Sequence, residues 1–242
     1  MDAIRIENLS KQYKDVLAVD GLSLTVAEGE LVSLLGVNGA GKTTTIKILS
    51  CLASPTEGDA FLCGQSIRTQ SAAVKGCIAV SPQETAVAPG LTVEENLALM
   101  CGVHGFSKEK RKQKLAQLTA LLGLGEVLKR PAGKLSGGWQ RRLSIAMALI
   151  SEPKILFLDE PTLGLDVLVR SDLWDIIRSL KGKVTVILTT HYMEEAEALS
   201  DRIAIMGSGR LLLCDTAENI KKRTGKDKFE EAFVAVVKGA GK

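Results

Sequence analysis

Apolar and polar residues alternate through the first thirty positions, as in Ile4-Arg5-Ile6-Glu7 and Leu22-Ser23-Leu24-Thr25-Val26. A period of two places one face in a core and the other in water, which predicts antiparallel strands. After the turn Glu28-Gly29-Glu30 the pattern becomes a largely apolar run, Leu31 to Leu35, that reads as a strand buried on both faces. Two more such runs follow, Ile155-Leu156-Phe157-Leu158-Asp159 and Val184-Thr185-Val186-Ile187-Leu188-Thr189-Thr190. Short strands near 203–206 and 211–214, around Gly207-Ser208-Gly209, read as a hairpin. Helical periodicity dominates 92–152, and Thr92-Val93-Glu94-Glu95 has the form of a capping box at the start of one helix. The Lys-rich end, 221–242, predicts a further helix with a frayed tip. Near-continuous apolar strands separated by helices define an α/β protein with a mostly parallel sheet covered on both faces.

Composition narrows the class. The 242 residues are 45% hydrophobic and 24% charged, as in an ordinary globular protein. No apolar run approaches the ~18 residues that a bilayer crossing needs. Met1-Asp2-Ala3-Ile4-Arg5 shows no signal-peptide core, so the expectation is a soluble, cytosolic chain. Five scattered cysteines without a C-x-x-C spacing read as reduced, buried thiols. A net charge of +3 is too small to argue for nucleic acid. The basic run Lys108-Glu109-Lys110-Arg111-Lys112-Gln113-Lys114 precedes Leu115, Leu118, Leu121 and Leu122 at helical spacing. It is read as the solvated face of an amphipathic helix in preference to a lipid contact.

Chemistry enters at Gly36-Val37-Asn38-Gly39-Ala40-Gly41-Lys42-Thr43-Thr44, which fits G-x-x-x-x-G-K-[ST] in full. The run follows a buried strand, and the residues from Thr45 to Leu52 read as the first turns of a helix. Glycines let successive backbone N–H groups turn inward onto phosphate oxygens, and the helix N-terminus adds partial positive charge. Lys42 is placed to reach the β- and γ-phosphates and the Thr43 hydroxyl to sit on Mg²⁺. These residues imply a bound nucleoside triphosphate.

A second set complements the loop. Asp159 ends an apolar strand, where a carboxylate can hold Mg²⁺ opposite Thr43. Glu160 follows in the bend before Pro161, placed to orient a water and accept its proton. Gln83, after Val80-Ser81-Pro82, can reach the metal or the water, and His191 ends a buried strand where sheet tips present ligands. In Leu135-Ser136-Gly137-Gly138-Trp139-Gln140-Arg141-Arg142, Ser136 can cap the next helix, whose amides form a second anion site. One short loop cannot wrap a γ-phosphate from two sides, so this second site points to two copies facing each other.

These motifs, in this order and over nearly the whole length, resemble the ATP-binding subunit of an ABC transporter. The resemblance implies a P-loop NTPase fold with a RecA-like core, an antiparallel β-subdomain and an inserted helical subdomain over about 92–152. It places the ATPase domain at 1–220 and a C-terminal basic helical tail at 221–242. It assigns Tyr13 to adenine stacking, Gly36 to Thr43 to Walker A, and Gln83 to the Q-loop. Leu135 to Trp139 becomes the signature motif, Asp159 the Walker B aspartate and Glu160 the catalytic glutamate. Gly164-Leu165-Asp166 becomes the D-loop and His191 the switch histidine. Trp139 stands where the family usually has Gln, and Val37 where proline is common. Arg141-Arg142-Leu143-Ser144 and His191-Tyr192-Met193-Glu194-Glu195-Ala196-Glu197 resemble the branch paired with ABC-2 exporter permeases.

The implied cofactors are ATP and Mg²⁺. The implied partners are a second ATPase subunit, as a homodimer, and integral-membrane permease subunits docking near Gln83 and the segment 84–92, with no nucleic acid. The implied location is the cytoplasmic face of the plasma membrane. A regulatory ATP clamp with low turnover is the alternative, with Trp139 as its only sequence support.

Overall fold

The computed structural model describes residues 2–239. Strands β1 (Asp2–Tyr13) and β2 (Val16–Ala27) form a long antiparallel hairpin, and β3 (Leu31–Leu35) leads into the glycine loop and helix α1 (Lys42–Leu49). Next come β4 (Glu57–Leu62), β5 (Gln65–Ser66), α2 (Ser71–Cys77) and β6 (Ile78–Ser81). Helices α3 (Val93–Val103), α4 (Lys108–Leu121) and α5 (Gly137–Leu149) separate β6 from β7 (Ile155–Asp159). The chain continues through α6 (Val167–Arg178), β8 (Thr185–Thr190), α7 (Met193–Leu199), β9 (Arg202–Gly207) and β10 (Arg210–Asp215). It closes with α8 (Ala217–Thr224) and α9 (Phe229–Gly239).

Two sheets result. The antiparallel one has the order β2-β1-β4-β5, and the other the order β10-β9-β3-β8-β7-β6. In the second sheet every pair is parallel except β9 with β10. Alternate side chains of a strand leave opposite faces, and here both faces are buried. On β3, Val32 and Leu34 enter the core beneath the antiparallel sheet and α1, while Leu31 packs with the helices of the other face. On β7, Ile155 and Phe157 divide from Leu156 and Leu158 in the same way. This accounts for the unbroken apolar text of these strands. The carboxyl ends of β3, β7 and β8 lie side by side, which is where an open α/β sheet presents its ligand crevice.

The local signals carry over unevenly. Thr92 and Glu95 form the full capping box at the start of α3. The first helix is shorter than expected: it starts at Lys42 and ends at Leu49, so Leu52 lies beyond it and is exposed. Cys51 adopts a left-handed backbone conformation, with φ 56°, which breaks the helical path. Strand β4 gave no clear pattern in the sequence, yet it pairs with β1 and completes the antiparallel sheet.

The basic run on α4 is not solvated throughout. Lys114 is buried, with its ammonium 2.7 Å from Glu152. A long aliphatic stem with a paired head can occupy such a position. The single helix expected over 221–242 is two helices within the described residues, and the tip at 240–242 lies outside them. Gly225, at φ 65°, turns the chain between α8 and α9, and Ile220, Phe229 and Phe233 then pack together against β9.

Candidate functional site

The glycine loop is shaped by close backbone approach. A Cβ on Gly41 would lie 2.5 Å from the carbonyl oxygen of Ala18, and its φ of 97° is itself a glycine conformation. A Cβ on Gly36 would lie 2.6 Å from the Met206 carbonyl. Lys42 is buried at the start of α1 and donates to the Gly36 carbonyl at 2.7 Å and the Val37 carbonyl at 3.3 Å. Its ammonium also stands 3.5 Å from Glu160 Oε1.

Glu160 sits at the centre of the site. It is 6% exposed and holds φ at 49°, an uncommon conformation for a residue with a side chain. Its N–H is shared by the carbonyl and hydroxyl oxygens of Thr189, which fixes the bend. The carboxylate is thereby set between two groups, with Oε1 facing Lys42 and Oε2 2.8 Å from His191 Nδ1. The His191 ring lies against Tyr192, with centroids 4.1 Å apart. At the adjacent position Asp159 Oδ1 accepts from Thr43 Oγ1 at 3.2 Å and from Thr189 Oγ1.

Lys42, Thr43, Glu160 and His191 open onto a cavity of about 580 Å³, and Asp159 lies outside its lining. The lining includes Asn38 to Thr44 of the loop, Gln83, Glu160 and His191, closed on one side by Val16, Leu17 and Ala18. Tyr13 is not in that lining. It ends β1 beside Val16, half-exposed, with the Lys11 ammonium over its ring. Gly36 and Val37 contribute the carbonyls that hold Lys42, and the Val37 side chain is exposed. The signature residues and Asp166 also lie outside the lining. Ser136 occupies the N-cap of α5 with an extended backbone, but its hydroxyl makes no capping bond. Asp166 caps α6 through Val169 N–H. These two helix starts adjoin each other: a Cβ on Gly137 would be 3.7 Å from Leu165, and one on Gly138 would overlap Val169.

Three contributors were not apparent from sequence. Arg141 is buried and donates to the Pro82 and Gln83 carbonyls, each at 2.6 Å, so α5 holds the loop that carries Gln83. Burial lowers the pKa of this guanidinium, against the pull of Asp159 and Glu195. Asn96 is also buried. It accepts from Ala88 N–H and donates to three carbonyls, pinning the segment between Gln83 and α3. Gln140 donates to Ala132 and Leu135, holding the approach to Ser136. For Asn96 the available signal was a polar residue at a helix position flanked one turn away by Val93, Leu99 and Met100.

A glycine loop with its lysine, a glutamate and a histidine line one open cavity, with a strand-end aspartate bonded to Thr43 beside it, and this is the arrangement of a nucleoside-triphosphate-hydrolysing P-loop site. The matching family model is described as ABC transporter and covers residues 19–163, more than half of the chain. The chain belongs to this family, as an ATP-binding and ATP-hydrolysing domain with the P-loop NTPase fold.

Among curated relatives, the daunorubicin/doxorubicin resistance ATP-binding protein DrrA of Streptomyces peucetius is 41% identical over 226 residues, covering 93% of this chain and 68% of its own. The Nod factor export ATP-binding protein I of Burkholderia orbicola is 43% identical over 209 residues, covering 86% and 68%. The phospholipid-transporting ATPase ABCA3 of Homo sapiens is 39% identical over 92% of this chain, which spans only 13% of that protein. Among solved structures, an ATP-binding subunit of an ABC transporter superposes with a TM-score of 0.85 at 28% identity, covering 97% of this chain and 99% of the other. A dimeric ATP-binding cassette in a post-hydrolysis state, bound to ADP and Pi, superposes with a TM-score of 0.79 at 26% identity, covering 88% and 98%.

Proposed function

We propose that the chain hydrolyses ATP between two identical copies placed head to tail, and that this cycle drives export through a separate membrane permease at the cytoplasmic face of the plasma membrane. The observation that carries the reading is the position of Glu160. It is buried at the edge of the phosphate cavity, between Lys42 and His191, and one residue from the Asp159–Thr43 pair. A carboxylate there can polarise a water and take its proton as the water attacks the γ-phosphate in line. Lys42 and the loop amides stabilise charge on the phosphates. With His191 Nδ1–H donating to Glu160, Nε2 donates to a γ-phosphate oxygen when the ring is protonated.

Thr43, Asp159 and Gln83 offer oxygen donors, the type Mg²⁺ takes. Among the described residues no group of three or more His, Cys, Asp or Glu is placed to hold a metal. When bound, Mg²⁺ would be held by Thr43, Asp159 and Gln83 and would supply positive charge against the negative charge developing on the phosphates. Ser136 and Gly138 would reach the nucleotide of the other copy, supported by their position outside the lining of this chain's own cavity. Tyr13 would stack on adenine. The permease would dock beside Gln83 and 84–92. Among the described residues no helix is long and apolar enough to cross a membrane. Export follows the names of the relatives, a drug-resistance ATPase and a Nod factor exporter.

The solution mass of the Glu160→Gln protein, with and without ATP, tests this reading. The expected result is a dimer only with ATP, together with loss of turnover of about 10²–10⁴-fold. Hydrolysis at the parental rate would remove Glu160 from its role. A protein that binds ATP yet stays monomeric would refute self-sufficient head-to-tail closure.

A further inference from the structure

Four residues beyond His191, on α7, Glu195 is fully buried. An ionised carboxyl in such a place is costly unless a cation faces it, and Glu195 has none among its hydrogen-bond partners. Its Oε1 accepts from the Thr162 hydroxyl at 2.7 Å and from the Trp174 indole N–H at 3.0 Å. Its Oε2 has no partner among the described residues. Burial pushes the pKa of this group up, beyond the opposing effect of the hydroxyl and indole donors around it, and Glu160 nearby pushes the same way. Both donors converge on Oε1, so a single carboxyl oxygen ties Thr162 to Trp174.

The partners belong to two segments that carry proposed site residues. Thr162 lies two residues past Glu160 in the same bend, where Leu163 N–H reaches back to the Glu160 carbonyl and Leu165 N–H to that of Thr162. Trp174 is on α6, the helix that Asp166 caps. The third segment is α7 itself, which follows directly from His191. An apolar side chain would fill the same space without desolvating a carboxyl. What a buried polar hub adds is a fixed geometry among the elements it bonds.

We propose that Glu195 is a positioning residue for ATP hydrolysis: through Thr162 and Trp174 its buried carboxyl fixes the Glu160 bend and the Asp166 helix against the His191 strand end. This rests on the assignment of Glu160 and His191 made above. Misplacing a reacting group by about 1 Å can cost on the order of 100-fold in rate.

The test is steady-state ATP hydrolysis by the purified chain, with thermal melting in parallel, for Glu195→Ala, Glu195→Gln, Thr162→Val and Glu160→Gln. Glu195→Ala and Thr162→Val are expected to lower kcat by about 10- to 100-fold while the KM for ATP stays within about twofold. Glu195→Gln keeps Oε1 as the acceptor and is expected to restore kcat to within about threefold. A parental kcat in Glu195→Ala or Thr162→Val overturns the proposal, as does a folded Glu195→Gln as impaired as Glu195→Ala. If Glu195→Ala does not fold, Thr162→Val decides alone, since it removes one donor and leaves the carboxyl in place. Parental turnover in Glu160→Gln would instead bring down the assignment of Glu160 on which the inference depends.

Discussion

Gly138 lies where two demands meet. In the structure it is the second residue of α5, buried against Val169 of α6. In the proposed dimer it would also let the backbone approach a phosphate. Alanine at 138 would put its Cβ into overlap with Val169 Cγ1, and within 3.6 Å of Val169 Cβ and 3.8 Å of Cγ2. Valine in a helix holds one χ1 rotamer about 90% of the time, so the methyl cannot swing away freely. The helices must then separate slightly. Overpacking of this kind costs about 1–3 kcal/mol, the lower half of which applies here because Val169 is only partly buried. For a domain of this size about 1–2 kcal/mol lowers Tm by roughly 2–8 °C.

The double variant Gly138→Ala with Val169→Ala separates the two demands. Removing the valine methyls relieves the overlap, and alanine is the better helix former by a few tenths of a kcal/mol, so Tm is expected to return to within about 2 °C of the parent. If the glycine also serves a phosphate, kcat stays at least about tenfold down in the double variant although stability has recovered. Calorimetry and phosphate release on the same preparations read both effects. An unchanged Tm in Gly138→Ala would refute the packing argument. Full recovery of both Tm and kcat in the double variant would refute the phosphate argument, leaving the glycine as a helix-packing device alone.

Asn96→Ala strips the 84–92 segment of a donor and an acceptor at once. It leaves the Ala88 N–H without its acceptor, while the Ala88 and Leu91 carbonyls keep the N–H groups of Leu91 and Ala132, which should cost about 1–3 kcal/mol and lower Tm by about 2–12 °C. Limited proteolysis should then cut first between Gln83 and Thr92; a cleavage pattern identical to the parent's would show that Asn96 does not pin that stretch. The Cys77 thiol, pushed up to about 12 first by burial and then by the adjoining Cys63 thiol, should be about 10⁻⁴ thiolate at pH 8. Peptide mapping after iodoacetamide treatment should therefore find Cys77 almost unmodified in the folded protein and fully alkylated in denaturant. Equal rates in the two conditions would contradict the burial.

The parts of the site that could be read in advance share one property: each is encoded by contiguous residues whose type and local context suffice. The glycine loop needs only its own spacing after an apolar strand, and Asp159-Glu160 needs only to end one. The capping box at Thr92 and Glu95 closes within a single turn. What escaped reading depends on partners far along the chain. Arg141 bonds carbonyls 58 and 59 residues away, and the Glu195 carboxyl meets Thr162 33 residues away and Trp174 21 away. A carbonyl acceptor leaves no mark in a sequence, because every residue has one. Lys114 shows the same blindness in reverse. Within a run of charges it looks solvated, and only the approach of Glu152 from beyond α5 makes its burial possible.

Helix α6 gives these separate contacts a common consequence. From one side α5 packs on it through Gly138 and Val169, reinforced by the Arg142–Asp172 pair at 2.9 Å and by the Arg142 guanidinium over the Trp139 ring. From the other side Trp174 donates to Glu195, beside His191 and the Glu160 bend. The surface pair is worth little alone, so the packing contact and the Trp174 hydrogen bond are the main ties of this helix. The Trp139 ring, in the place where the family usually has glutamine, lies under the Arg142 guanidinium of the same helix, and Arg142 reaches α6 through Asp172. If Glu195 orders the Glu160 bend as proposed, a displacement of α5 is expected to reach that bend through α6 and Trp174. The phosphate cavity and the glycines at 137 and 138, which do not share a lining, are thus bridged by one helix that touches Gly138 near its start and Glu195 further along.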